Sequence, residues 1–254
     1  MDIYSNLISS LPGGRVVSVK IGLFWIAVSI ERQGRLRCGL AATFINPEYE
    51  LARLPAVKEA GQLERYSTLD LANLVYSESL TEAGIGLATI NALLPPIENS
   101  VDLAAEDYIA RQGADCQVAL IGHFSFVSRL RQQVKKLWVL ELNPREDDFP
   151  ASAAPEIIPQ ADILAITATT LINHTFEGVI GLRKPGAKVL LLGPSTPLSP
   201  ILFDYGISVL SGSVVENPEA VLHLVSQGAS FNQIRSQGVR LVTVEAPGEN
   251  RNHK

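Results

Sequence analysis

Four histidines, two cysteines and a few well-placed carboxylates limit the chemistry open to this chain. His123 and His174 each follow a run that reads as a buried strand, and Glu141 ends another such run. Together they make a nitrogen, nitrogen, oxygen set of the kind that suits zinc or another divalent transition metal. No HxxxH or CxxC spacing accompanies them, so loop hydrogen bonding is the plainer role for each histidine. His223 falls within a helical pattern and His253 in a polar tail, and neither is assigned a role. Cys38 and Cys116 stand 78 residues apart, which supports neither a disulfide framework nor a zinc motif. They read as buried free thiols. There is no GxSxG, no Walker A pattern and no cysteine with a nearby histidine, so no nucleophile, acid or base is named and catalysis stays open.

A second constellation points to a nucleoside. Gly122 closes a strand at the opening of a helix, and Glu141 lies 19 residues on, close to the spacing at which an acidic residue bonds ribose hydroxyls. Only the first of three fingerprint glycines is present, and Phe124 stands where the backbone must approach a pyrophosphate. A nucleoside without a diphosphate, such as S-adenosylmethionine, asks less of that loop than NAD(P) does. Alternatively, Gly122 merely turns the chain and Glu141 is a solvated carboxylate at a strand end. Further on, Thr167, Thr169, Thr170 and Asn173 gather at a strand-to-helix junction. Such groups cap the following helix or aim its N–H donors at an anion. The loop from Gly193 to Pro200 has three prolines that stiffen it while Ser195 and Thr196 present hydroxyls.

The elements that must position these residues fall into two parts. Arg15–Ile21, Leu23–Glu31 and Arg37–Phe44 are apolar or β-branched runs separated by Gly22 and Gln33-Gly34, as in an antiparallel meander. Helical patterns follow at Leu69–Tyr76 and Glu82–Leu94, the latter stopped by Pro95-Pro96. From there the order alternates. A helix over Val101–Arg111, capped by Asn99 or Ser100, precedes a strand at Gln117–Ile121; a helix at Val127–Val134 precedes a strand at Leu137–Glu141. Further strands are expected at Ile163–Thr167, Lys188–Leu192, Ser208–Leu210 and Arg240–Glu245, with helical segments near Leu171–Leu182, Pro200–Tyr205 and Pro218–Gln227. Strands apolar throughout that alternate with helices predict a doubly wound parallel sheet. The reading is therefore α/β, with a small α+β domain over 1–98 and the parallel sheet over 99–254. In such sheets ligands bind beyond the carboxyl ends of the strands, where strand order reverses.

Composition excludes several classes. Of 254 residues, 46% are hydrophobic and 19% charged, enough for a packed core and too little charge for disorder. The net charge of −5 is spread evenly, with 8 basic against 10 acidic residues over 1–100, so neither part offers a basic face for nucleic acid or an anionic membrane. The longest stretches free of charge, such as Val189–Phe203, have 15 residues, short of the roughly 20 that span a bilayer. The N-terminus has an acidic second residue and does not read as a signal peptide, so a cytoplasmic location is expected. A small molecule or metal is the expected partner, and a homodimer is an assembly the sequence allows.

Several strings carry a family resemblance. Gly86-Leu-Ala-Thr-Ile-Asn-Ala92, Gly122-His-Phe124, Glu141-Leu-Asn-Pro144, Thr169-Thr-Leu-Ile-Asn-His-Thr175, Gly193-Pro-Ser-Thr-Pro-Leu-Ser-Pro200 and Gly212-Ser-Val-Val215 occur in this order. The chain thereby resembles the prokaryotic "putative heavy-metal chelation" family. The resemblance implies an N-terminal domain similar to that of enolase, a Rossmann-like C-terminal domain and a site in the cleft between them. It marks Asn91, Gly122, Phe124, Glu141, Asn143, Thr169, Asn173, Pro194 and Ser195 as site-lining residues. Three functions are carried forward: uptake of a metal or its chelate through Glu141, Asn91, Asn143 and His123; an enzyme using S-adenosylmethionine bonded at Glu141; and a binding module without catalysis.

Overall fold

The computed structural model describes residues 2–248, so His253 lies outside the described residues. Among the described residues, ten strands and ten α-helices divide into two compact units. Of the described residues, one comprises 2–98, Pro194–Ile201 and Gly212–Leu241; the other comprises Asn99–Gly193, Leu202–Ser211 and 242–248.

In the first unit, strands β1 (Arg15–Ile21), β2 (Trp25–Arg32) and β3 (Arg35–Ala42) form an antiparallel meander. The turn between β2 and β3 is Gln33-Gly34, both at positive φ, which matches strand twist in a two-residue hairpin. Residues 26–30 of β2 are buried without alternation, because both faces of the sheet are covered. On one face lies α4 (Leu80–Leu93), N-capped by Ser79, whose hydroxyl accepts from the Glu82 N–H. It follows α1 (Ile3–Ser9), α2 (Pro47–Ala52) and α3 (Thr68–Asn73).

The other face carries α9 (Pro218–Ser226) and α10 (Phe231–Arg235). Ala27, Cys38 and Leu40 there pack with Val221, Val225, Ala229, Ile234 and Val239. Trp25 and Phe231 meet with ring centroids 5.2 Å apart. A cut between residues 98 and 99 thus separates the meander from helices that bury its second face.

The second unit is built on a largely parallel sheet. In chain order its strands are β4 (Gln117–Ile121), β5 (Lys136–Glu141), β6 (Phe149–Pro150), β7 (Ile163–Thr167), β8 (Lys188–Leu192), β9 (Val209–Val215) and β10 (Val239–Glu245). The last two are shared with the first unit. Spatial order is β10-β9-β8-β7-β4-β5-β6, and the neighbours from β9 to β6 all run parallel. β10 runs antiparallel to β9. The Glu216 N–H reaches the Gly238 carbonyl at one end, and the Ala246 N–H reaches that of Ser208 at the other, each at 2.8 Å.

The helices of this unit among the described residues are α5 (Ala105–Gly113), α6 (Val127–Leu130), α7 (Ala154–Ile157) and α8 (Phe176–Ile180). Tyr108 and Ile109 of α5 and Val127 and Leu130 of α6 join Val118, Leu120, Val139, Ala165 and Leu190 in one core. The chain leaves β4 toward β5 and β6, then returns to place β7 on the other side of β4. The order therefore reverses between β4 and β7.

Three sequence expectations are corrected here. The helix predicted from Val101 begins at Ala105, because Val101 instead bridges Thr243; its N-cap is Ala104, without a side-chain bond, in place of Asn99 or Ser100. The segment Leu171–Leu182 is broken at His174, whose φ of 58° leaves the helical region, so a 3-10 turn (Ala168–Leu171) and the short α8 replace one helix. Pro200–Tyr205 is likewise a 3-10 turn.

The contact of α4 with β3 depends on Gly39. A Cβ there would lie 2.1 Å from the Ala88 carbonyl oxygen and 2.3 Å from the Ala92 nitrogen, both backbone atoms that no rotamer can move. Gly39→Ala is expected to push helix and strand apart and to destabilise the protein by about 1–3 kcal/mol, read as a lowered urea midpoint with unchanged slope.

Candidate functional site

Gly122, His123, Glu141 and Thr167 stand at the carboxyl ends of β4, β5 and β7, on either side of the switch point. Gly122 ends β4 at φ 98°, a conformation that L side chains rarely adopt. A Cβ added there would come within 3.1 Å of Thr167 Cγ2 and 3.4 Å of the Phe124 ring. The turn is therefore set tightly against the end of β7. Phe124 packs on the core and stacks on Phe126, with centroids 5.0 Å apart and planes 16° apart. Its ring also lies over Gly193, 3.9 Å from where a Cβ would be. The aromatic ring therefore fills the space directly beside the glycine turn.

Glu141, at the end of β5, faces this turn. Its Oε2 accepts the His123 N–H at 2.8 Å and its Oε1 accepts the Leu142 N–H at 2.8 Å. The carboxylate ties the loop after β4 to the loop after β5. Asn143 and Pro144, two and three residues on, are exposed.

Beside this clamp stands a group that sequence reasoning missed. The imidazole of His123 meets Asp148 through Nδ1, 2.7 Å from Oδ2. The Asp148 side chain is fully buried, while that of His123 is 18% exposed. The same Oδ2 accepts the Arg145 N–H at 3.2 Å. Arg131 Nη2 lies 3.7 Å from Oδ1, which has no hydrogen-bond partner among the described residues, and the guanidinium is anchored by the Asp147 carbonyl at 2.9 Å. Asp148 ends the charged run Arg145-Glu-Asp-Asp148, whose other three members are exposed. Only the tertiary pairing with a residue 25 positions earlier distinguishes it.

The threonine run at the end of β7 is engaged locally. Thr167 and Thr169 hydroxyls lie 3.0 Å apart, the Thr170 hydroxyl donates to the Thr167 carbonyl at 2.7 Å, and Asn173 Oδ1 accepts from the Thr175 hydroxyl at 2.7 Å. Thr167, whose hydroxyl accepts the Thr169 N–H, caps a four-residue 3-10 turn, which has no extended array of aligned N–H groups to offer an anion. His174 and His223 are exposed. Among the described residues, no three His, Cys, Asp or Glu side chains are gathered as a metal-holding group.

The remaining candidates belong to the first unit. Ser195 is 2% exposed, and its hydroxyl accepts the Ala42 N–H at 3.0 Å at the end of β3. Asn91 on α4 donates both amide hydrogens, to the Leu40 carbonyl at 2.9 Å and the Ser195 carbonyl at 3.0 Å. The Pro194 carbonyl accepts from the Ser213 hydroxyl at 2.9 Å. The proline-stiffened loop is a buried polar peg between helix and strand. Two atoms of this region, Asn91 Oδ1 and Thr196 Oγ1, are buried without a hydrogen-bond partner.

An antiparallel three-stranded unit and a largely parallel seven-stranded sheet define a two-unit α/β fold. Family models described as "Putative heavy-metal chelation" match residues 4–94 and 105–244, and the chain belongs to that family. It is similar to the uncharacterized protein MJ0500 of Methanocaldococcus jannaschii, at 26% identity over 227 residues covering 85% of each chain. Among solved structures it resembles a family member of unknown function from Desulfitobacterium hafniense, with 25% identity, TM-score 0.79, and 96% and 97% of the two chains covered. A second, from Pyrococcus horikoshii, shares the fold at 20% identity with TM-score 0.81, covering 96% and 98%. No helix among the described residues is long and apolar enough to cross a membrane.

Ser195→Ala leaves the Ala42 N–H buried without an acceptor. The expected cost is about 1–2 kcal/mol, measured as a shift in the chemical-unfolding midpoint.

Proposed function

We propose that this protein takes up a metal ion as cargo in the form of an organic chelate, at the carboxyl ends of β4, β5 and β7. The state of Glu141 carries this reading: both of its oxygens are occupied by backbone N–H groups of His123 and Leu142. To ligate a bare ion, this carboxylate would have to give up bonds that hold two loops together, and protein sites for bare transition ions use three or four donors. An ion that arrives inside an organic ligand asks for orientation and few protein donors. The family description, heavy-metal chelation, supports the same class of cargo.

A nucleoside-type ligand such as S-adenosylmethionine is the second reading. It is favoured by the strand order, whose reversal between β4 and β7 is where nucleoside cofactors sit in doubly wound sheets. It is disfavoured by the same engagement of Glu141, whose oxygens would have to be shared with ribose hydroxyls.

Thermal unfolding separates the two. Nickel(II) and copper(II) complexes of citrate and nitrilotriacetate, the free metal salts and S-adenosylmethionine are each added to the parent protein. A chelate present at about a hundred times its Kd is expected to raise Tm by about 5–10 °C, more than the free ion does. Stabilisation by S-adenosylmethionine alone, by free ions alone or by none of these overturns the chelate reading.

A further inference from the structure

We infer that His123 Nε2 is the protein's coordinating atom for the chelated metal, and that Asp148 is the positioning residue that holds the imidazole for it. The inference rests on the chelate reading and narrows it to one atom. Three observations carry it. First, Nδ1 is committed: it lies 2.7 Å from a carboxylate oxygen that can only accept, so the neutral ring carries its proton on Nδ1 and its lone pair on Nε2. Second, Nε2 has no hydrogen-bond partner among the described residues, and the side chain keeps 18% of its surface exposed. Third, Asp148 is fixed from several sides: the carboxylate is fully buried, accepts the Arg145 N–H and faces the Arg131 guanidinium.

A carboxylate behind the far nitrogen is the usual support of a metal-bound histidine. It sets tautomer and ring orientation and makes the ligating nitrogen more basic. With Glu141 turned to backbone donors, one imidazole is what the end of β4 offers, and one donor fills a single open position of an ion already held by a multidentate ligand. The same pair would orient a general base, but no hydroxyl or thiol among the described residues is hydrogen-bonded to this imidazole.

The test uses copper(II)–nitrilotriacetate, which keeps one strong position open, with the full-length parent, His123→Ala, Asp148→Asn and a chain in which His174, His223 and His253 are all replaced by Gln. Electron spin-echo modulation from the remote imidazole nitrogen is expected in the parent and in the triple Gln chain, and is lost in His123→Ala. Asp148→Asn is expected to weaken binding about ten- to hundredfold and to change the quadrupole coupling of that remote nitrogen, whose N–H bond it alters. Nitrogen-15 NMR of the unmutated protein is expected to place the His123 proton on Nδ1, a readout that requires no variant to fold.

Binding of the chelate equally by parent and His123→Ala, or a proton found on Nε2, overturns the inference and leaves the chelate reading standing. An unchanged affinity and remote-nitrogen signal in folded Asp148→Asn removes the role of Asp148. Failure of the parent to bind any of the chelates overturns the chelate reading, and this inference with it.

Discussion

A carboxylate with no exposed side-chain surface must be met by donors, because an uncompensated buried charge costs several kcal/mol. Asp148 is such a group, and the loops on the carboxyl side of the sheet are arranged around it. It draws in the ring of His123 from the loop after β4, the backbone of Arg145 from its own turn, and the guanidinium of Arg131 from the segment after α6. Glu141 works alongside, joining the loops after β4 and β5 through backbone N–H groups. The two carboxylates therefore behave differently: one is held as a structural clamp, the other holds an imidazole whose second nitrogen is left open. The tight turn at Gly122 makes both contacts reachable, since it brings His123 to the rim of the sheet.

Polar groups in the first unit are used more conservatively. Asn91 and Ser195 satisfy backbone groups of Leu40, Ala42 and Ser195 itself, so residues marked as ligand-lining by resemblance are engaged in holding a loop against a helix and a strand. The leftover acceptor Asn91 Oδ1 and the Thr196 hydroxyl show that this polar seam is not fully paired among the described residues.

Much of the framework was legible because apolar runs are local signals. β1, β4, β7 and β8 fall on the residues read from sequence, since each is a short apolar or β-branched run bounded by polar or turn residues. What was hidden depends on partners distant in the chain. Nothing local says that Val221 and Val225 cover Ala27 and Leu40, or that β10 runs against β9. The site divides in the same way. Gly122, His123 and Glu141 were visible as residues at strand ends, whereas nothing local marks Asp148, which the fold places behind His123 from 25 positions further on. Ser195 and Thr196 looked presented, and proved to be buried.

Cys38 lies in the core between the meander and α9, where burial pushes its thiol up to about 12. Burial thus holds this thiol in its protonated form at neutral pH, and the thiolate is the form that captures soft metals and reacts with oxidants. The packing that buries the second face of the sheet therefore also keeps a sulfur ligand out of circulation. Cys38 presents no open thiolate to a metal ion or an oxidant, whereas Cys116, the other free cysteine, is only partly buried.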